Sequence, residues 1–128
     1  MIWTSCYGRW RLFPKGCLRA AVSLKVPKGN AFDVRILPFA PDQFLLSGIR
    51  NGTLDELEYA ERYTALLESR DGAFRAAERL RKMQDAGRCA VLLCWEAEGF
   101  CHRHVLADWL GVGWNLDVRE LGRASLSA

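Results

Sequence analysis

The chain has 128 residues, the length of one domain. Half of it is hydrophobic and 26% is charged, which excludes disorder, collagen-like repeats and coiled coil; its longest apolar run, Cys89 to Trp95, falls far short of the about 20 residues a membrane span needs. The net charge of +3 is too small to argue for nucleic-acid binding alone, although 14 Arg against 4 Lys favours side chains that grip carboxylates and phosphates with a rigid fork.

The opening Met1–Cys6 reads as a short apolar strand. Tyr7 to Gly16 reads as a loop, with Gly8 and Pro14-Lys15-Gly16 as turn signals, and it carries Arg9, Trp10 and Arg11. Leu18–Val26 alternates, with Val22, Leu24 and Val26 on one face, and predicts a strand. Phe32, Val34 and Ile36 alternate again before Pro38 and Pro41 break the chain. Asp42 is an N-cap for a short helix through Ile49, and Gly52 is its terminator. Thr53 with Glu56 forms a capping box for a long helix whose inward stripe is Leu57, Ala60, Tyr63 and Leu67. Asp71 caps the next helix, with Phe74, Ala77, Leu80 and Met83 inward and Gly87 as its end.

Cys89–Leu93 is an apolar run without alternation, the pattern of a strand buried on both faces at the centre of a parallel sheet. Ala97–Phe100 is a loop, Cys101–Leu110 a helix stopped by Gly111, and Leu116–Leu121 a last strand. The alternation of strands and helices predicts a single α/β domain over residues 1–121, three layers with a small, mainly parallel sheet flanked by helices; 122–128 is a frayed tail. Ligands in such folds bind beyond the carboxyl ends of the strands. Two segments qualify: Ser5, Cys6, Tyr7 and Arg9 after the first strand, and Cys94 to Arg103 after the apolar one.

Cys6, Cys17, Cys89, Cys94 and Cys101 make an odd set, and no signal-peptide pattern precedes them. The expected compartment is therefore a reducing cytoplasm with free thiols and with Cys89 a buried hydrophobe. The densest reactive segment is Cys94-Trp95-Glu96-Ala97-Glu98-Gly99-Phe100-Cys101-His102-Arg103-His104. A thiol at a helix N-terminus is activated by unpaired amides and the helix dipole. Glu96, at the end of a buried strand, is expected to be partly desolvated and to act as acid, base or nucleophile, with Cys94 and Cys101 as a reactive thiol or ligand pair. His102, Arg103 and Arg9 would hold an anionic group, and Trp95 or Tyr7 would stack on a base.

Other chemistries fit less well. A phosphatase-type cysteine loop needs Arg about six positions after the Cys, and Phe100 stands there. No metal ligand is assigned: there is no C-x-x-C pair, and adjacent helical residues point about 100° apart, so that Cys101 and His102 do not easily share one ion, while His102 with Cys94, or Cys101 with Cys94 and Glu96, remain as open ligand sets. In the structural alternative Glu96 pairs with Arg103 or Arg9, the cysteines are core thiols and His102 caps the helix. No cofactor is identifiable.

The box Cys94-x-Glu96 followed by Cys101-His102-Arg103 resembles the signature of the domain-of-unknown-function family four-eighty-eight. Thr4-Ser5-Cys6-Tyr7, Leu37-Pro38-Phe39-Ala40-Pro41 and the Gly52–Tyr59 segment agree in order, so that the similarity spans residues 1–121. The resemblance implies a small cytoplasmic α/β protein of bacteria, phages or mobile elements whose site is lined by Cys94, Glu96, Cys101, His102 and Arg103. It supplies no reaction. The leading expectation is an enzyme for a nucleotide-like small molecule or nucleobase, with no membrane partner. The alternative is a nucleic-acid or protein binding module without catalysis, such as a phage interaction protein. Oligomeric state is not legible.

Overall fold

A computed structural model describes residues 1–97 and 99–122. Its five strands are β1 (Ile2–Cys6), β2 (Leu18–Ala21), β3 (Val34–Arg35), β4 (Ala90–Cys94) and β5 (Val118–Glu120). They form one sheet in the order β3-β2-β4-β1-β5, and every pair is parallel. β4 lies between β1 and β2 and is buried along its whole length, as its unbroken apolar run requires.

Alternate residues of the central strands face two different layers. Ala90 and Leu92, with Ile2, Ala20 and Val22, pack beneath four helices: α1 (Gln43–Asn51), α2 (Glu56–Glu68), α3 (Asp71–Asp85) and α4 (His102–Trp114). Leu67, Leu106 and Leu110 are fully buried there, each such side chain stabilising the fold by about 1.5–3 kcal/mol. Val91, Leu93 and Ala21 face the other way, under Phe13 and Cys17 of the β1–β2 connection and Val26, Ala31 and Phe32 of the β2–β3 connection. This second covering layer is a 3-10 turn (Tyr7–Leu12) and loop chain, where a plain loop was expected over Tyr7–Gly16.

Several element boundaries differ from the sequence expectation. β2 ends at Ala21 instead of Val26, because Ser23 turns its hydroxyl onto the Lys25 carbonyl at 2.6 Å. The capping box at Thr53 does not form. The Asn51 side chain takes both the amide and the hydroxyl of Thr53, and Asp55 caps α2 by accepting from the Glu58 amide at 2.8 Å. Tyr59, Tyr63 and Leu67 consequently point inward and Leu57 outward. Asp71 is the first residue of α3 and not its cap; Arg70 holds that place. α3 buries Ala73, Ala77 and Leu80, while Phe74 stays partly exposed against the rings of Trp109 and Trp114. α4 runs through Gly111 to Trp114 and stops where Asn115 adopts the left-handed conformation at φ 54°. Of the expected tail, Gly122 is buried and 123–128 lie outside the described residues.

Cys17 and Cys89 precede β2 and β4 on neighbouring strands, where the Leu18 amide donates to the Cys89 carbonyl. Their Cα atoms are 4.7 Å apart and the two residues form a disulfide. The expectation of free thiols fails for this pair, and Cys89 is a cross-link instead of a lone buried hydrophobe. Cys6 is a buried free thiol.

Candidate functional site at the carboxyl end of β4

β1 and β4 end side by side, with Cys6 and Cys94 in register. The chain leaves β4 through Trp95, turns at Gly99 in the left-handed region at φ 77°, and enters α4 at His102. Cys101 occupies the N-cap position with an extended backbone, φ −148° and ψ 147°. It therefore stands outside the helical 100° progression, and its side chain converges with that of His102. This overturns the argument that adjacency separates the two. The ligand atoms of Cys94, Cys101 and His102 lie within 4.8 Å of one another. The Cys94 and Cys101 sulfurs face each other, but their Cα atoms are 7.8 Å apart. The sulfurs approach to 2.50 Å, yet a relaxed disulfide between Cα atoms more than about 7 Å apart needs backbone movement, so this pair lacks the backbone spacing of the Cys17–Cys89 cross-link.

His102 is buried and its Nε2–H donates to the Val22 carbonyl at 2.9 Å. That bond fixes the tautomer and leaves the Nδ1 lone pair toward Cys101 Sγ, 3.7 Å away. Burial pushes the ring down to about 4, against the Val22 hydrogen bond and with the help of the Arg103 charge, so the imidazole is neutral at neutral pH. Cys101 Sγ donates to Glu96 Oε2 at 3.3 Å. Glu96 itself is exposed at the rim and not desolvated, because it lies two residues beyond the end of β4.

Arg103 is 1% exposed. Its Nε and Nη2 grip both carboxylate oxygens of Glu120 at 3.0 and 2.8 Å. Its Nη1 donates to Cys94 Sγ at 2.9 Å and to the Glu96 carbonyl, and Nη2 also reaches the Ala97 carbonyl at 3.5 Å. Its donors are thus committed to protein groups. Arg9 supports the same acceptors, with Nη1 on Glu120 at 3.2 Å and Nη2 on the Ala97 carbonyl at 2.6 Å. A Cβ on Gly122 would stand 2.5 Å from Arg9 Nη1, so glycine there lets the guanidinium lie flat against the chain. Thr4 adds a hydroxyl donor to Glu120 at 2.7 Å. Burial alone would raise Glu120; the Arg103 and Thr4 hydrogen bonds and the Arg103 charge outweigh it and hold the carboxyl below its ordinary value. In the structural alternative Glu96 pairs with Arg103 or Arg9, yet both arginines pair with Glu120 and Glu96 gives Arg103 only a main-chain oxygen.

A cleft of about 250 Å³ opens beside this cluster, lined by Ser23, Lys25, Arg50, Trp95, Glu96 and His102 among others. Trp95 is 51% exposed, its Nε1–H donates to the Lys25 carbonyl at 2.8 Å, and its ring meets the edge of Tyr7 at 5.0 Å. The Tyr7 hydroxyl lies 2.6 Å from Ser23 Oγ, and burial raises its pKa. Larger, more apolar grooves occur between α2 and α4 and around Pro38 and Arg70, at about 640 and 610 Å³; neither holds a cysteine or histidine.

The structure thus gathers Cys94, Glu96, Cys101, His102, Arg103 and Arg9 into one network, with Trp95 and Tyr7 as its neighbouring wall. Sequence reasoning missed Glu120, Thr4, Arg50 and the Val22 carbonyl. Only Glu120 left a signal: it is two residues from Val118 and so shares its face of β5, on the helix side of the sheet.

Comparison with curated proteins and with solved structures gave no match. Residues 6–112, from the end of β1 into α4, match the family described as the Active DUF488-N3 subclade. The chain belongs to that subclade, and with it to the domain-of-unknown-function family four-eighty-eight.

Proposed function

We propose that the chain is an enzyme acting on a nucleobase or a nucleotide-like small molecule, with Glu96 as its acid, base or nucleophile. The observation that carries this reading is the cleft itself. It sets an exposed indole, a carboxylate and the guanidinium of Arg50 around one opening at the carboxyl ends of β2 and β4. At about 250 Å³ it is below the usual 300–1,000 Å³ of larger ligand sites and suits one ring system with small substituents. A planar base stacks on Trp95, and Arg50 takes an anionic substituent, since Arg103 is saturated. Glu96 then exchanges a proton with a ring atom, or its carboxylate attacks the glycosidic carbon as the C–N bond breaks and the base leaves with the bonding electrons and takes a proton from water, after which water hydrolyses the glycosyl ester; Cys101 next to Glu96 tunes its hydrogen bonding. Arg103, Arg9 and Glu120 are positioning residues that fix the 95–101 loop. The description of the subclade as active is consistent with catalysis.

The test is a thermal-shift and calorimetric screen of nucleobases, nucleosides and nucleoside monophosphates on wild type and Glu96→Gln. One class should bind saturably, and the variant should lose turnover. The absence of any binder, or full turnover in the variant, would sink the proposal.

A second reading rests on a different place. Arg35, Arg75 and Arg79 line a groove of about 410 Å³ between β3 and α3, which suits a phosphate backbone and a nucleic-acid binding module. Affinity for single- or double-stranded oligonucleotides that falls steeply with salt and weakens in Arg75→Ala/Arg79→Ala would support it; salt-insensitive or absent binding would remove it.

A further inference from the structure

We infer that Cys94, Cys101 and His102 form a binding site for a thiophilic divalent cation, with zinc as the best fit. Three features converge on it. The first is the donor set: two sulfurs and one imidazole nitrogen within 4.8 Å, all on buried residues. Soft thiolate and imidazole ligands together select zinc over the harder oxygen-seeking cations. The ligand atoms of a tetrahedral zinc site stand about 3.5–3.8 Å apart, given its bond lengths. Cys101 Sγ and His102 Nδ1 are 3.7 Å apart, while the two sulfurs, at 2.50 Å, have to part by about 1 Å to take an ion between them.

The second feature is the orientation of His102. A metal-bound histidine almost always donates its other ring N–H to a carbonyl or carboxylate, which aims the free nitrogen at the ion. His102 Nε2 makes that bond to the Val22 carbonyl at 2.9 Å. The aimed nitrogen, Nδ1, has Cys101 Sγ as its neighbour.

The third is the buried guanidinium on Cys94. Arg103 Nη1 donates to that sulfur at 2.9 Å. A neutral thiol is a weak acceptor, whereas a metal-bound thiolate is an anion that a buried guanidinium complements. As the metal binds, each thiol gives its proton to solvent and both sulfurs coordinate as thiolates, so two negative charges meet the dication. The three ligands leave one position of a tetrahedral site for water or a substrate atom, and the cleft that His102 and Glu96 line adjoins the cluster. Glu96 is within hydrogen-bond reach of Cys101 Sγ.

This inference uses the same cluster as the proposed function but different atoms, so the two can fail separately. The protein, reduced and stripped of metal, is titrated with cobalt(II) and read by absorption. The expected result is saturation at one ion per chain, with the near-ultraviolet band of thiolate-to-cobalt charge transfer and the intense visible bands of tetrahedral cobalt, both erased by added zinc. Cys94→Ser and Cys101→Ser should lose the charge-transfer intensity, and His102→Gln should weaken binding by about tenfold or more. In wild type, zinc should protect Cys94 and Cys101 from alkylation, mapped by mass spectrometry, which needs no variant to fold. Glu96→Gln should keep the cobalt spectrum whether or not it loses the small-molecule reaction. No saturable uptake by reduced protein, cobalt bound without a thiolate band, or uptake undiminished when both cysteines are replaced would each overturn the site.

Discussion

β4 begins and ends at a cysteine pair, and the two pairs are built for different work. At its start, Cys89 meets Cys17 across neighbouring strands with 4.7 Å between Cα atoms, and the pair closes a loop of 72 residues. At its end, Cys94 meets Cys101 across a strand–helix junction with 7.8 Å between Cα atoms, and the pair touches His102, Arg103 and the Glu96 carboxylate, with Glu120 and Arg9 bound behind Arg103. Backbone geometry decides the role. Parallel strand starts already stand at disulfide distance, so that pair staples. A helix N-cap facing a strand end brings the sulfurs together without that backbone spacing, which is the arrangement the proposed metal site uses.

Arg103→Ala should be the most damaging change at the site end. It strips Cys94, Glu120 and two loop carbonyls of their buried donor, at a cost of about 3–5 kcal/mol in chemical denaturation. Arg103→Lys should recover part of that but not the bidentate grip on Glu120. A loss under 1 kcal/mol would mean the site end contributes little to the fold. At the other end, replacing both Cys17 and Cys89 with alanine should cost about 2–4 kcal/mol, and wild type should fall by a similar amount when reduced. Equal stability of oxidised and reduced protein would show that this pair is not a staple.

A pH series sharpens the contrast. The folded-state pKa of Glu120 is depressed, so its stabilising contribution is fully present above the ordinary carboxylate range and is lost as pH falls through the folded value. The melting-temperature gap between wild type and Glu120→Gln should therefore be widest near neutrality and narrow as the medium is acidified below about pH 5. A gap that is constant with pH would assign the loss to packing. The smallest effect belongs to Glu96→Gln. Its side chain is exposed, so stability should change by about 0.5 kcal/mol or less, while ligand turnover disappears. A large stability loss would make Glu96 a structural residue.

Much of this site was legible because it is local. The unbroken apolar run before Cys94 announces a central strand, and the Cys–Glu–Cys–His–Arg segment follows it directly. What depended on distant partners was not. Glu120 lies 17 residues from Arg103 and meets it only because β5 pairs with β1 opposite Thr4. Cys17 and Cys89 look unrelated until β2 and β4 become neighbours. Local signals also compete. Thr53 reads as the helix cap, but Asn51 occupies Thr53 and Asp55 takes the capping position instead. Gly111 reads as a stop signal, yet α4 passes through it because Asn115 can take the left-handed turn four residues later.

The carboxylate that Arg103 grips arrives on β5, the last described strand to be synthesised, whereas its partner strand β1 is the first. Until those two segments dock, the guanidinium has no counter-charge and the loop that carries Glu96 has lost one of the acceptors fixing its frame. Contacts of such long sequence separation form slowly. The frame of the site therefore depends on the first and last described strands meeting, and a chain interrupted before β5 would carry every residue of the reactive box without the carboxylate that Arg103 grips.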